Sequence, residues 1–575
     1  VNAATDVAVN FGGSAVLGSL NAGHDVNVVG TGNAAIGTAT AGRDVMAMVV
    51  GAVSISSASA GRNLRNTSTN LIASMLNAGT DVVVLTDEAA DLGSTTAGAR
   101  IVANAGTSVD FTQLMSGTTT SLVAGTSITG GNANAGTTLS LNANGGTVSF
   151  GMLSSGTNTS VTASGAINGN SADAGGALTL NSGANGVSAA TLRSGINNNL
   201  TVTASNGGSA TIASATSGLD LSVNATNVSV ATATAARDVF YTAVGDIVAG
   251  TTEAGRDVSL SAVGRINATN TRAAGNIVAN STGNASLISS TADNIFAVST
   301  GDVTLGTANA TTMIGVNALN INGMTLNAGE DIRLNASGTA NVMSATAGDD
   351  FDINATNGIT LGSITTTGAG RDDRTLVFNA PTFVIVSSTA DGSDIRLTSN
   401  GAVSATNLDA GDDILIDGSS FTLTGLAQTR GLGSVGEGSD IVIGAGAVIV
   451  AMVNTADNLT VNATSFDGTT LSAGGMINVE TSGNQSLGTA SATGGPINGT
   501  STLGSISFVD LATGGDINLN AGKAIAGGSA NADGTIQFTG TGNAAFTSLT
   551  SGDFTSIMAG GSVTGGASTA GGLLS

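Results

Sequence analysis

The 575-residue chain has no cysteine and no tryptophan, and it holds one tyrosine (Tyr241), one histidine (His24), one lysine (Lys523) and two prolines (Pro381 and Pro496). Each scarcity removes a class of function. Without cysteine, neither a disulfide framework nor a thiolate metal site can form. Aromatic residues make up 3% of the chain, too few for the stacking platforms that line sugar-binding grooves. One lysine and fourteen scattered arginines, against 38 acidic side chains, cannot form the basic stripe that nucleic acid requires. Apolar runs such as AVIVAMV at 447–453 fall well short of the roughly 20 residues of a membrane-spanning helix. Neither a nucleic-acid partner nor a membrane span is therefore expected. The chain opens on Val1, with no initiator methionine, charged leader or apolar leader segment, which reads as a mature segment or a window from a longer protein.

Glycine is abundant, at 85 residues, and the apolar 41% is mostly alanine, valine, isoleucine and leucine. Glycine without proline fits tightly turning, hydrogen-bonded β structure better than a flexible linker. Charge is uneven. Residues 1–287 carry 14 acidic and 9 basic side chains, net −5, and residues 288–575 carry 24 and 6, net −18.

The dominant feature is repetition. NAGHDVNVVGTGNAAIGTATAG (21–42) and NAGEDIRLNASGTANVMSATAG (327–348) keep the same glycines, the same aspartate and the same apolar positions. Small-residue markers of this kind recur from 23 to 552, giving 27 intervals over 529 residues, or about 19.6 each. After Gly255 the apolar Val258, Leu260 and Ala262 alternate with Asp257, Ser259 and Ser261, a period of two that excludes helix. Each period reads as about three short strands separated by Gly, Asn and Thr turns.

One coil cannot bury its inner face, but stacked coils pair every strand with those above and below around an aliphatic core. The expected fold is all-β: one continuous, elongated parallel β-helix over 1–575, triangular in section. It would have about 29 coils of 19–20 residues and a length of about 140 Å at about 4.8 Å per coil. The interval from Gly411 to Gly438, the longest at 27 residues, predicts a loop insertion at 412–437.

AGxDV followed by alternating aliphatic residues and then xGxIxA resembles the repeat region of filamentous-haemagglutinin-type exoproteins, large adhesins secreted by Gram-negative bacteria. The resemblance covers nearly the whole chain and extends to autotransporter passengers. It implies a right-handed helix, export through an outer-membrane partner, and an extracellular or cell-surface location with a role in attachment to a host or neighbouring cell. The Asn-Pro-rich secretion domain of that family and an Arg-Gly-Asp triplet are absent from these residues. The functional expectation is a structural stalk or fibre without catalysis, with a self-assembling filament, sheath or surface-layer subunit of identical copies as the alternative.

Candidate chemistry is sparse. His24 stands at the variable turn position that Arg43, Thr80 and Glu330 occupy elsewhere, which marks it as an exposed turn residue rather than a catalytic base. The charged run Gly370–Arg374 reads as a solvated turn. Within the expected insertion, Arg430 and Glu437 are the candidate contact residues. The aspartate of AGxDV is expected to accept local backbone N–H bonds and fix its own turn. Six such aspartates, Asp331, Asp350, Asp372, Asp394, Asp413 and Asp440, occupy what the spacing makes successive coils. At about 4.8 Å their carboxylates would repel, with Arg333, Arg374 and Arg396 offsetting part of that charge. This ladder is the candidate site for Ca²⁺, an oxygen-seeking cation.

Overall fold

A computed structural model describes residues 1–367, 394–431 and 438–573. The described residues contain strands and turns with no helix. Contacts divide the chain into two compact units, Val1–Thr282 and Gly283–Ser575. Each unit is by itself a parallel β-solenoid, in agreement with the expected fold class.

In the first unit a coil consists of a five-residue strand and an eight-residue strand. Val26–Gly30 lies on Val45–Val49, and Ala34–Ala41 lies on Val53–Ala60, all parallel and in register. The short strand alternates strictly between buried and outward residues. The long strand breaks its alternation once, where Gly37 and Thr38 both turn outward, so it bends there and contributes two faces. Three faces per coil result, as the sequence expects, although two of them belong to one strand. Val258 and Leu260 are fully buried and Ser259 and Ser261 face out, as the alternation expects. Each buried leucine of this file contributes on the order of 2 kcal/mol relative to exposure.

The marker glycine has a role that turn chemistry does not account for. Positive φ among the described glycines is confined to Gly93, Gly186, Gly207, Gly358, Gly431 and Gly488, so the marker glycines do not need the left-handed region. They are needed for close approach: a Cβ on Gly42 would fall 2.1 Å from the carbonyl oxygen of Gly23, and one on Gly61 would fall 2.1 Å from that of Gly42. The N–H of Gly42 meanwhile donates to the Ala22 carbonyl at 3.1 Å. Ala236, Thr311, Ala456, Thr493 and Asp533 are among the residues that occupy this place in other coils, so a local shift can relieve the clash. A second set of glycines lies under phenylalanine rings, with Phe11 over Gly30 and Phe111 over Gly130, where any Cβ would enter the ring.

The second unit uses longer strands that run through a corner, such as Ala285–Ser299 and Val303–Ala318. Two expectations about its coils change. Phe351–Ala355 pairs directly with Ile395–Ser399, and Gly358–Thr366 pairs directly with Ala402–Ala410. The 44 residues from Asp350 to Asp394 therefore advance the stack by one coil, where the spacing counted two. The coil count falls by one, and Asp372 has no place between Asp350 and Asp394. The reason is that the spacing counts the marker-like GAG at 368–370 as a coil signal, whereas the strand stacked on Phe351–Ala355 is Ile395–Ser399. Asp372 itself lies outside the described residues.

The 412–437 segment also resolves differently from a simple loop. Ile414–Thr429 is a strand in the stack, paired with Ile441–Thr455. The extra length of this coil follows it: eleven residues, 430–440, separate Thr429 from Ile441, where three, 411–413, separate Ala410 from Ile414.

Candidate functional site: the aspartate turns

In the coils that carry it, the aspartate of AGxDV stands directly before the first inward aliphatic residue, a place that Asn63, Arg100 and Thr119 take in others. Its side chain does not cap its own turn. Asp25 Oδ1 accepts the backbone N–H of Asp44, 19 residues on and one coil away, at 3.1 Å, and Asp44 Oδ1 accepts that of Asn63 at 3.0 Å. The pattern repeats through both units, from Asp6 to Asp25 at 3.1 Å and from Asp516 to Thr535 at 2.7 Å. The local turn bond expected from sequence is thus replaced by a bond between coils. Parallel stacking brings the next coil's amide within reach of a side chain that projects along the stack. The second turn of the coil uses asparagine in the same way: Asn33 accepts the N–H of Ala52 and Asn227 that of Asp246, both at 2.9 Å.

In the first unit an arginine completes the device. Arg43 reaches back one coil to Asp25, with Nε to Oδ1 at 3.2 Å and Nη2 to Oδ2 at 2.6 Å. Arg62 holds Asp44 in the same bidentate manner, and Arg256 holds Asp238. The guanidinium of Arg43 holds the Asp25 carboxyl below its ordinary range, and Arg62 and Arg100 do so for Asp44 and Asp81. His24 lies 4.0 Å from Asp6, at the corresponding place, and both are exposed. These pairs are absent from the sequence-based expectations. The available signal was an Asp and an Arg 18 residues apart (25 and 43, 44 and 62, 238 and 256) in a chain whose coil is about one residue longer.

The second unit keeps the clamp and changes its surroundings. Asp350 N–H donates to Asp331 and Asp394 N–H to Asp350, both at 3.3 Å. Asp413 N–H donates to Asp394 at 3.0 Å, and Asp440 N–H to Asp413 at 2.8 Å. Five of the six sequence-predicted aspartates therefore form one ladder. The variable position that held arginine now holds Glu330, Asp349 and Asp412. Asp350 and Asp394 are almost completely buried, at 3% and 0% exposure. Burial, reinforced by the charges of Asp352, Asp349 and Asp331, pushes the Asp350 carboxyl up to about 8. Burial likewise pushes Asp394 up to about 7, against the Asp413 N–H and Arg396, and Asp413 to about 6. The expected rise is present, with desolvation as its leading cause and repulsion second.

The arginines of the neighbouring outward position take part as expected where they are described. Arg333 Nη2 lies 3.0 Å from Asp331, and Arg396 pairs with Asp394 while lying 3.8 Å from Asp350. Arg374 lies outside the described residues. At Asp413 and Asp440 that position is Leu415 and Val442, and no arginine is supplied.

The Ca²⁺ expectation finds no ligand set here. Among the described residues, no group of three or more His, Asp or Glu side chains is placed to hold a metal ion. The ladder spends one oxygen of each carboxylate on an amide, and Arg333 and Arg396 occupy the outer oxygens of Asp331 and Asp394.

Of the two candidate contact residues, Arg430 is engaged within the stack, with Nε 2.8 Å from Oδ1 of Asp409. Glu437 lies outside the described residues, as does the charged run at 370–374. A lateral groove of about 700 Å³ follows the first coils, lined by Phe11, Val29, Met48 and Val50, with Asp87 its one titratable residue. No helix among the described residues is long and apolar enough to cross a membrane. Comparison with protein families, with characterised proteins and with solved structures finds no match.

Proposed function

We propose that the chain is a structural β-solenoid serving as the stalk or fibre of a bacterial surface adhesin, without catalysis of its own. The observation that supports this reading is how the polar side chains are used. Aspartate and asparagine at both turns bind the next coil's amide, and arginine binds the previous coil's aspartate. Groups that could serve chemistry are thereby spent on cohesion between coils. The Gly-Asp turns, the alternating aliphatic strands and the acidic surface charge suit a cohesive, soluble scaffold. An extracellular or cell-surface location on a Gram-negative bacterium, an outer-membrane export partner, and attachment to host or neighbouring cells rest on the resemblance of the repeat to filamentous-haemagglutinin-type exoproteins.

Negative-stain microscopy of the purified chain, paired with a cell-binding assay of the chain coupled to beads, tests the proposal. Separate rods of uniform length whose beads adhere to cells are expected of a stalk with adhesive capacity. End-to-end polymers growing with concentration would replace it with the filament or sheath reading. Turnover of a polysaccharide would overturn the non-catalytic part.

A further inference from the structure

Asparagine precedes glycine at eight places in the chain. This dipeptide carries a latent reaction, because the glycine nitrogen has no neighbouring Cβ to keep it from the asparagine side-chain carbonyl. Whether the reaction proceeds depends on the backbone being free to bring the two together, and the fold treats the eight places differently.

Three of them lie inside strands. Gly169, Gly323 and Gly499 are each paired on both sides, Gly169 with Phe150 and Ala189, for example. Gly358 begins a strand paired with Ala402, and Gly401 donates its N–H to Ser399 Oγ at 3.0 Å. Gly186 is buried and directs its N–H at the Gly183 carbonyl. Asn144 is exposed, but its own N–H is held by Ala124 at 2.9 Å, and Gly145 packs so that a Cβ would lie 2.6 Å from the Gly125 carbonyl.

Asn206–Gly207 combines features that none of the other seven places has together. Both residues are exposed, at the tip of a turn closed by Gly208 N–H on the Ser205 carbonyl at 3.0 Å. Both have positive φ, 53° and 92°, a conformation that Asn tolerates and Gly adopts freely. Neither backbone N–H donates to any described residue, and the space beside the Gly207 Cα is open.

We infer that Asn206 is a site of self-catalysed deamidation, the one place where this fold leaves the reaction unhindered. The Gly207 nitrogen gives up its proton and attacks Cγ of Asn206. The new N–Cγ bond forms as the Cγ–Nδ2 bond breaks, and the amide leaves as ammonia with that proton. Water then opens the cyclic imide. Cleavage at Cγ restores the ordinary backbone with an aspartate, and cleavage at the main-chain carbonyl leaves an isoaspartate whose backbone runs through Cβ and Cγ. No oxidant or cofactor enters, and the net change is amide plus water to carboxylate plus ammonium, the ammonia taking up the proton that the new carboxyl group releases. The product adds a negative charge and, as isoaspartate, one backbone atom at the solvent-facing tip of a turn whose flanking residues, Ser205 and Gly208, bond to the neighbouring coils.

The test is incubation of the full chain in mildly alkaline buffer, folded and in urea, followed by peptide mass analysis and isoaspartate detection. In the folded chain Asn206 should react at least about tenfold faster than Asn168, Asn322 or Asn498, because two ladder bonds must open before those can react. In urea the Asn-Gly sites should converge. Asn206→Gln should remove the first acidic species seen on isoelectric focusing. Equal rates at Asn168 and Asn206 in the folded chain would overturn the inference. So would an intact Asn206 over a period in which the unfolded chain reacts.

Discussion

The AGRD turns of the first unit and the aspartate ladder of the second perform the same mechanical task with opposite electrostatics. In both, Oδ1 of an aspartate takes the amide of the coil beyond it. In the first, an arginine from that same adjoining coil closes on the carboxylate and keeps it charged. In the second, the arginine's place is taken by Glu330, Asp349 and Asp412, the carboxylates are buried, and the proton is favoured instead. The two regions thus differ in whether an arginine at the variable position holds the carboxylate charged or burial, with acidic neighbours, favours its proton. The coil geometry itself is indifferent to the choice.

The strongest test asks whether the two regions differ only at their turns. Leu260→Asp and Leu334→Asp each place a carboxylate in an interior file where the native leucine is at most 1% exposed. Both should cost several kcal/mol, on the order of 3–5, and unfold their coils, whereas Ser259→Asp should change stability by less than about 1. Thermal melts and limited proteolysis would measure this. Unequal responses at 260 and 334 would show that the interiors differ as well.

The next effect is pH. For Asp350, Asp394 and Asp413 the folded value lies above the unfolded value of about 3.9, so the folded state holds more protons. Their contribution is complete below about pH 4 and is lost as pH rises through about 6, 7 and 8. Each titrating carboxyl weakens the ladder by at most about 1.4 kcal/mol per pH unit. Asp25, Asp44 and Asp81 behave in the opposite sense: their folded values are lowered, so their contribution is present above about pH 4 and is lost in acid. Protection factors from hydrogen exchange should therefore fall between about pH 6 and about 8 at the Asp413 amide and stay level at the Asp44 amide.

A subtler test removes charge while keeping the acceptor. Asp413→Asn retains an oxygen for the Asp440 amide and deletes a buried charge, so at alkaline pH it should stabilise the second unit by about 1 kcal/mol. Asp44→Asn keeps the Asn63 contact but loses the Arg62 pair, and should destabilise by under about 1 kcal/mol, an exposed pair being screened by water. Opposite signs, read from urea midpoints, are the expected result. The smallest effect is that of salt. Raising ionic strength should abolish the difference between wild type and Arg62→Met, both measured by melting temperature.

Much of this molecule is legible in its residue order. A period near 19.6 residues, a strand alternation of two and a nearly proline-free, glycine-rich chain leave a stacked parallel solenoid as the arrangement that buries Val258 and Leu260 while exposing Ser259. Expectation and structure part where a local signal stands for a global one. The GAG at 368–370 looks like a coil boundary, yet Phe351–Ala355 pairs straight to Ile395–Ser399. The 27-residue interval looks like a loop, yet its first part, Ile414–Thr429, is a regular strand.

The aspartate is recognisable from sequence as structural, but its partner is not the one that turn chemistry suggests. Capping motifs are defined by neighbours along the chain, while here the nearest free amide belongs to the next coil. Sequence by itself determined the repeat, the inward and outward faces and the uneven acidity, because periodicity and burial are properties of the residue order. Only the tertiary stack decided which carbonyl a glycine must avoid, which amide an aspartate holds, and which carboxyls keep their protons, because each of these depends on a residue one coil away.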